Sequence, residues 1–413
     1  MADVSSTARE AARIARDSYG RLVAYLAARD RDVPAAEDAL GDAFAAALEN
    51  WPRDGAPANP EGWLIVAARR RLADASRRRK TASEAEGALA LIADELAEIG
   101  ESPIPDRRLA LMFACAHPAI EPAVRAPLML QTILGLDAAA IASAFLVTPS
   151  AMGQRLARAK ARIRQAGVPF REPSPELWPE RIGAVLEAIY AAFTHGWLET
   201  FGEDPRGRDL AEEAIWLGRV AAGLAPTEPE AAGLVALMLY AHARAGARRD
   251  AQGRFVPLSE QDTHAWDHAA IDEAERRLAA AAALRRPGRF QLEAAIQSAH
   301  VVRRGGAATD WPAIAALYDA LLALTGSPVV AVNRAIAISH AEGPDAGLAA
   351  LDAIEAGALA DFQAYWAARA DLEARVGRAG AAEAYARAIA LETDSATRAF
   401  LMERLRAFEA RRN

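Results

Sequence analysis

Seven cations, Arg69, Arg70, Arg71, Arg77, Arg78, Arg79 and Lys80, crowd the end of the stretch GWLIVAARRRLADASRRRK (62–80), where Asp74 is the single acid. A second concentration, Arg155, Arg158, Lys160, Arg162 and Arg164, lies in PSAMGQRLARAKARIRQ (149–165), which has no acid at all. Side chains of this type at this density attract phosphate backbones and release their counterions. Carboxylates gather elsewhere, with Glu37, Asp38 and Asp42 in PAAEDALGDAFAAALENW (34–51). His264 and His268 stand four apart in QDTHAWDHAA (261–270) beside Asp262 and Asp267, so a helix could offer two imidazoles to a metal. No third ligand follows from that spacing, and His117 and His195 have no evident partners. The chain lacks a P-loop, a dinucleotide fingerprint and an H-E-x-x-H pair. We therefore expect no enzyme activity, no metal and no cofactor.

The two basic clusters are exceptions in an acidic chain. Formal charge is −7 over 413 residues, yet residues 1–170 carry 22 basic against 21 acidic side chains, and twelve of those 22 fall in the two clusters. A nucleic acid meeting such a body is held by the cationic stripes and repelled by the rest, which fixes its orientation. Cys115 is the lone cysteine, which excludes an internal disulfide, a Cys-rich zinc site or a dithiol redox pair. The start MADVSSTARE has no apolar signal core, and no stretch approaches the roughly 18 uncharged apolar residues that span a bilayer. A cytoplasmic location without membrane contact is expected.

The elements that must position these residues read as helices throughout. Ala, Leu and Arg dominate, β-branched runs are short, and apolar residues recur at spacings of three and four. In the first basic helix Trp63, Leu64, Val66 and Ala67 are expected to pack, leaving the arginines to solvent. WPRDGAPANPEG (51–62) before it reads as a Pro/Gly-rich loop in which Trp51 and Asn59 could hold an unstacked base. On the acidic helix Ala39, Ala43, Phe44 and Leu48 are expected to face inward. Within LQTILGLDAAAIASAFLVTPSAMGQRLARAKARIRQ (130–165), Asp137 can cap a short helix, Thr148 can cap the next, and Pro149 suits its first position. That is the outline of a helix-turn-helix. Met152, Leu156, Ala159 and Ile163 form the buried seam of its second helix, while Gln154, Arg155, Arg158 and Arg162 share the opposite face. Arg reads guanine and Gln reads adenine in a major groove. Lys160 and Arg164 point between the faces, toward phosphates.

Pro/Gly punctuation at 167–180 marks the main boundary, because the basic clusters end there and residues beyond 170 carry 26 basic against 34 acidic side chains. Farther on, RAIAISHAEGPDAGLAALDAI (334–354) and ARADLEARVGRAGAAEAYARAIAL (368–391) both read as helix, Gly-containing turn, helix. Gly343 and Gly377 are 34 residues apart, the tetratricopeptide period. Segments 181–245 and 267–324 are candidates for further hairpins of a solenoid.

With both basic helices and the acidic one in place, the chain resembles the bacterial extracytoplasmic-function (ECF) sigma factors, in the subgroup with a long tetratricopeptide-like extension. AEDALGDAFAAALENW, NPEGWLIVAARRRLADASRRRK and GLDAAAIASAFLVTPSAMGQRLARAKARIR carry the likeness in order, joined by DRRLALMFACAHPAI and TDWPAIAALYDALLALTGSPVVAVNRAIAI. The resemblance implies an all-α fold with sigma region 2 over 8–80, a linker over 81–105, region 4 over 106–168 and a helical regulatory extension over 175–413. It implies contact with core RNA polymerase at the β′ clamp helices, through Glu37, Asp38 and Asp42, and at the β flap. Promoter DNA would be met by Asn59, Trp63, Arg69, Arg70, Arg71, Arg77, Arg78, Arg79 and Lys80 at the minus-ten element, and by Ser150, Gln154, Arg155, Arg158, Lys160 and Arg162 at the minus-thirty-five element. A regulatory protein is a further expected partner, bound by the extension. The competing readings are an operator-binding regulator with a helical sensor, and a metalloenzyme built on the His264/His268 pair.

Overall fold

The computed structural model describes residues 18–20, 22–23, 25–27, 33–57, 59–79, 107–145, 147–166, 173–199, 206–355 and 359–412. Among them the fold is all-α, without a strand, and one isolated bridge joins Arg249 to Phe255. None of these helices is long and apolar enough to cross a membrane. The chain divides into two compact units, 1–195 with 223–225, and 196–222 with 226–413.

In the first unit, helical residues between 18 and 27 precede α1 (Val33–Asp54) and α2 (Pro60–Arg79). Leu22, Val23, Leu26, Leu40, Ala43, Ala47, Trp51, Leu64 and Ala68 are buried, which gives this part of the unit its core. There follow α3 (Arg107–Cys115), α4 (Pro122–Thr132), α5 (Ala138–Ala144), α6 (Pro149–Ala166) and α7 (Trp178–Glu199). Leu111, Met112, Phe113, Leu128, Met129 and Leu130 are buried in α3 and α4, so a second cluster of large side chains supports the helices that follow. The boundary expected at 167–180 lies within this unit, because α7 packs back onto it. Trp178 lies against Phe113, with ring centroids 5.7 Å apart, and buried Arg181 donates to the Phe113 carbonyl oxygen at 3.1 Å. Composition marked a change of surface charge there, whereas the core continues to His195.

The second unit contains α8 (Arg206–Leu224), α9 (Pro229–His242), α10 (His268–Ala283) and α11 (Arg289–Val301). Every residue from Leu234 to Tyr240 is buried, so α9 is apolar all round and is covered on several sides. Its Glu230 carboxylate accepts the Phe290 and Gln291 N–H groups at 2.8 and 3.1 Å, capping α11 at the end where an anion is favoured. The remainder is a run of antiparallel hairpins from α12 (Trp311–Thr325), α13 (Pro328–Ala341), α14 (Pro344–Asp352), α15 (Gln363–Arg375), α16 (Ala381–Leu391) and α17 (Ser395–Arg412). The glycines 34 residues apart occupy equivalent turns, Gly343 at φ 104° and Gly377 at φ 72°, both in the region that L side chains avoid. Val332, Ala335, Leu348, Leu351, Tyr365 and Leu372 fill one layer, and Ala370, Ala384, Tyr385, Ala388 and Leu401 the next.

Candidate nucleic-acid interface

The first basic surface rests on a capped helix. Asn59 Oδ1 accepts the Gly62 N–H at 2.9 Å, and the Asn59 carbonyl accepts the Trp63 N–H at 3.1 Å, so Asn59 is the N-cap of α2. A Cβ on Gly62 would sit 2.9 Å from the Asn59 side chain, so glycine makes room for that cap. Half of the expected base-holding loop is absent. Residues 51–54 belong to α1, and Trp51 is 2% exposed, edge-on to Trp63 with ring centroids 5.6 Å apart. Trp51 is therefore core, and Trp63 is half-buried against it. The proline at position 52 read as a breaker, yet the helix tolerates it. Val66 and Leu48, expected inside, are each 51% exposed, whereas Leu64 and Ala68 are fully buried. A stripe running through positions 64 and 68 leaves position 66 on the far side of the helix.

The arginines of α2 differ in availability. Arg69 donates to the Tyr25 hydroxyl at 2.8 Å and lies over that ring at 5.0 Å, so its guanidinium braces two helices. Arg70 is exposed, and Arg71 is exposed with a loose 3.4 Å contact to Asp42. Such a surface pair contributes little and exchanges readily for a phosphate. Helix α2 runs through Arg77, Arg78 and Arg79, whose side chains, like that of Arg162 on α6, fall outside the described residues, as does Lys80 altogether.

The second basic surface follows the sequence closely. Asp137 Oδ1 accepts the Ala139 and Ala140 N–H groups at 2.9 and 2.8 Å, and Thr148 Oγ1 accepts that of Ala151 at 3.3 Å, with Pro149 opening α6. Helices α5 and α6 thus form two capped segments joined by a short turn. Met152, Leu156 and Ile163 are buried at 1%, 2% and 6%, which leaves Ser150, Gln154, Arg155 and Arg158 in water on the opposite face.

Lys160 is the departure. It does not project to solvent beside those residues. Its Nζ meets Glu37 Oε2 of α1 at 2.6 Å, with side-chain exposures of only 20% and 10%. Burial pushes the Glu37 carboxyl above its ordinary range, and Lys160 opposes that shift without cancelling it. Asp38 and Asp42 remain exposed on the same helix. Tyr19 lies nearby, stacked on Phe44 with centroids 6.3 Å apart, its hydroxyl pushed up to about 12 by burial and by Glu37 and Asp38. Cys115 is fully buried, and that burial raises its thiol to about 12. Sequence reading missed the Lys160–Glu37 pairing because 123 residues separate the partners and no local pattern links them.

The histidine pair has a structural explanation. Asp262 accepts the His264 N–H at 2.9 Å and Asp267 that of Ala270 at 3.0 Å, so both carboxylates cap helices. His268 Nε2 lies 3.1 Å from the Thr263 carbonyl oxygen. Among the described residues, no three potential metal ligands converge.

Residues 14–82 match the family described as Sigma-70 region 2, and residues 181–282 match a family of unknown function (DUF6596). An uncharacterised protein of Rhizobium meliloti (strain 1021) is 39% identical over 395 residues, covering 94% of this chain and 92% of its own length. No solved structure matches. The matched N-terminal segment holds the acidic helix and the first basic helix, the C-terminal match lies beyond the helix-turn-helix, and the two together fit an ECF-like sigma factor with a C-terminal extension.

Proposed function

We propose that the protein binds core RNA polymerase and directs promoter-specific initiation. In this reading residues 8–80 engage the β′ clamp helices through Asp38, Asp42 and Glu37, and recognise and melt the minus-ten element. Arg70 and Arg71 follow the strand backbone there, with Asn59 and Trp63 beside it, as the match to Sigma-70 region 2 supports. Residues 106–168 read the minus-thirty-five element and contact the β flap. The observation that carries this half is the exposed row of Gln154, Arg155 and Arg158 on the second helix of a capped pair, opposite a buried Met152–Leu156–Ile163 seam. That face presents groups able to read guanine and adenine edges. The hairpins of the second unit act as a tetratricopeptide-like module that modulates the sigma domains by binding a regulatory protein. The protein works in the cytoplasm.

Reconstitution with core polymerase tests the proposal. The expected result is initiation from a specific start site on a promoter mapped by overexpression, lost when Arg155 and Arg158 are both changed to Ala. Properly folded protein that leaves core polymerase without promoter preference would overturn it. Tight binding to duplex operator in the absence of polymerase would favour a conventional operator-binding regulator.

A further inference from the structure

In the second unit, the connection 243–267 between α9 and α10 forms a strap that reaches the last helix, α17. Its turn is locked locally. Asp250 Oδ1 accepts the Gln252 and Arg254 N–H groups, both at 2.9 Å, Gly253 stands at φ 76°, and the Val256 N–H donates to the Arg248 carbonyl oxygen at 2.9 Å. Arg303, just beyond α11, donates to the carbonyl oxygens of Leu258, Ser259 and Gln261 and so fixes the far end of the strap. Two ion pairs join the strap to α17: Arg249 with Asp394 at 2.6 Å, at the helix start, and Glu260 with Arg404 at 3.3 Å. Positions 394 to 404 span about 15 Å of helix. Along that length lies a cavity of about 480 Å³, floored by Phe255 and Phe400, whose rings meet edge to face at 5.3 Å, and widened by Ala396, Ala399 and Ala407.

We propose that this slot binds a small organic cation with a flat apolar body, an aromatic amine by chemical class. Its size suits a small molecule, for which sites of about 300–1,000 Å³ are usual, and the two ion pairs that tie strap to helix limit its length. The charges at the rim decide the sign. Asp250 is paired with Arg254 at 2.7 Å, and Glu260 with Arg404, whose guanidinium also lies over the Phe400 ring at 5.0 Å. Glu403 shares the helix face of Phe400 and Ala407, is exposed, and makes no hydrogen bond or ion pair among the described residues. The slot thus sets three carboxylates against two guanidiniums, and the uncommitted group is a carboxylate. An ammonium pairs with Glu403 while the apolar body covers the Phe255 ring, whose electron-rich face adds to the attraction. A ligand seated there touches the strap and α17 at once, so it bridges the first and last parts of the hairpin run and stabilises their closure. The site lies wholly in the second unit and does not depend on the sigma-factor reading.

Calorimetry on the full chain tests the site with tryptamine, indole-3-acetate and tryptophol, which place a cation, an anion and a neutral hydroxyl on one ring system. Tryptamine should bind at a single site, about five- to ten-fold more tightly than either of the others. Glu403→Gln should remove that preference and leave tryptophol binding unchanged. Ala399→Phe, at an exposed position of α17, should fill the slot and abolish binding of all three. Both variants should melt like the wild type without ligand, and tryptamine should raise the melting midpoint of the wild type but not that of Ala399→Phe. Indole-3-acetate binding as tightly as tryptamine, tryptamine binding unmoved by either one of the substitutions, or no saturable heat at millimolar tryptamine would overturn the proposal.

Discussion

His300 shows how a single half-buried group makes a domain sensitive to acid. Its ring lies edge-on to Trp311 at 5.4 Å, and Trp311 stacks on His340 at 3.9 Å. Burial, with Arg244, Arg303 and His340 around it, lowers its pKa from 6.5 to about 4. The unfolded chain therefore binds more protons between those values, and stability falls as pH drops through that window. We expect a loss of about 2 kcal/mol between pH 7 and pH 5, measured by urea denaturation. His300→Gln should flatten the slope. Asn59 makes a second residue-scale prediction: Asn59→Ala removes the N-cap of α2 and should lower stability by about 1 kcal/mol, whereas Asn59→Asp should retain most of it. A larger loss from Asn59→Ala on promoter melting than on stability would show that the side chain also reads a base.

Among the elements, α6 is where sequence and structure agree most closely. Asp137, Thr148 and Pro149 are local signals, acting within one turn of where they stand, and the seam at 152, 156 and 163 follows from helical period alone. Replacing Leu156 with Ala should cost about 2–5 kcal/mol and loosen α6 from its support, visible as a lower thermal midpoint and weaker DNA binding together. Arg155→Ala and Arg158→Ala should instead leave stability unchanged, while each weakens promoter binding and shallows its salt dependence by about one phosphate contact if it meets the backbone. The α1–α2 junction was harder to read. Gly, Pro and Asn between 51 and 62 signal a break, and one exists, but Trp51 and Pro52 were assigned to the wrong side of it. Tertiary packing of Trp51 on Trp63 extends α1 past a residue that local preference would use to stop it. Leu48 and Val66 were misplaced for a related reason: an alanine-rich stripe can bury a narrow face of small residues and leave a large one in water.

At the scale of the molecule, all-α architecture and the pair of equivalent glycine turns were legible because composition and period are summed over many residues. The extent of the first unit was not, since α7 joins it through Trp178 and Arg181, contacts to residue 113 that no local signal announces. A chain ending at Glu199 should therefore unfold cooperatively as a soluble fragment. One ending at Gly167 should lose the cover over Phe113 and expose apolar surface, seen as a lower melting midpoint and increased binding of a hydrophobic dye. The same distinction applies to the charge map, where the clusters were plain in sequence but the meeting of Lys160 with Glu37 required the folded chain.

The buried thiol has one more implication. A sulfur atom that stays protonated near neutrality and never reaches solvent is a poor target for peroxide or electrophiles. Oxidative stress, if it governs this regulator, does not act through a thiol of the folded chain, and methionines such as Met402, 39% exposed, are the sulfur atoms an oxidant meets first.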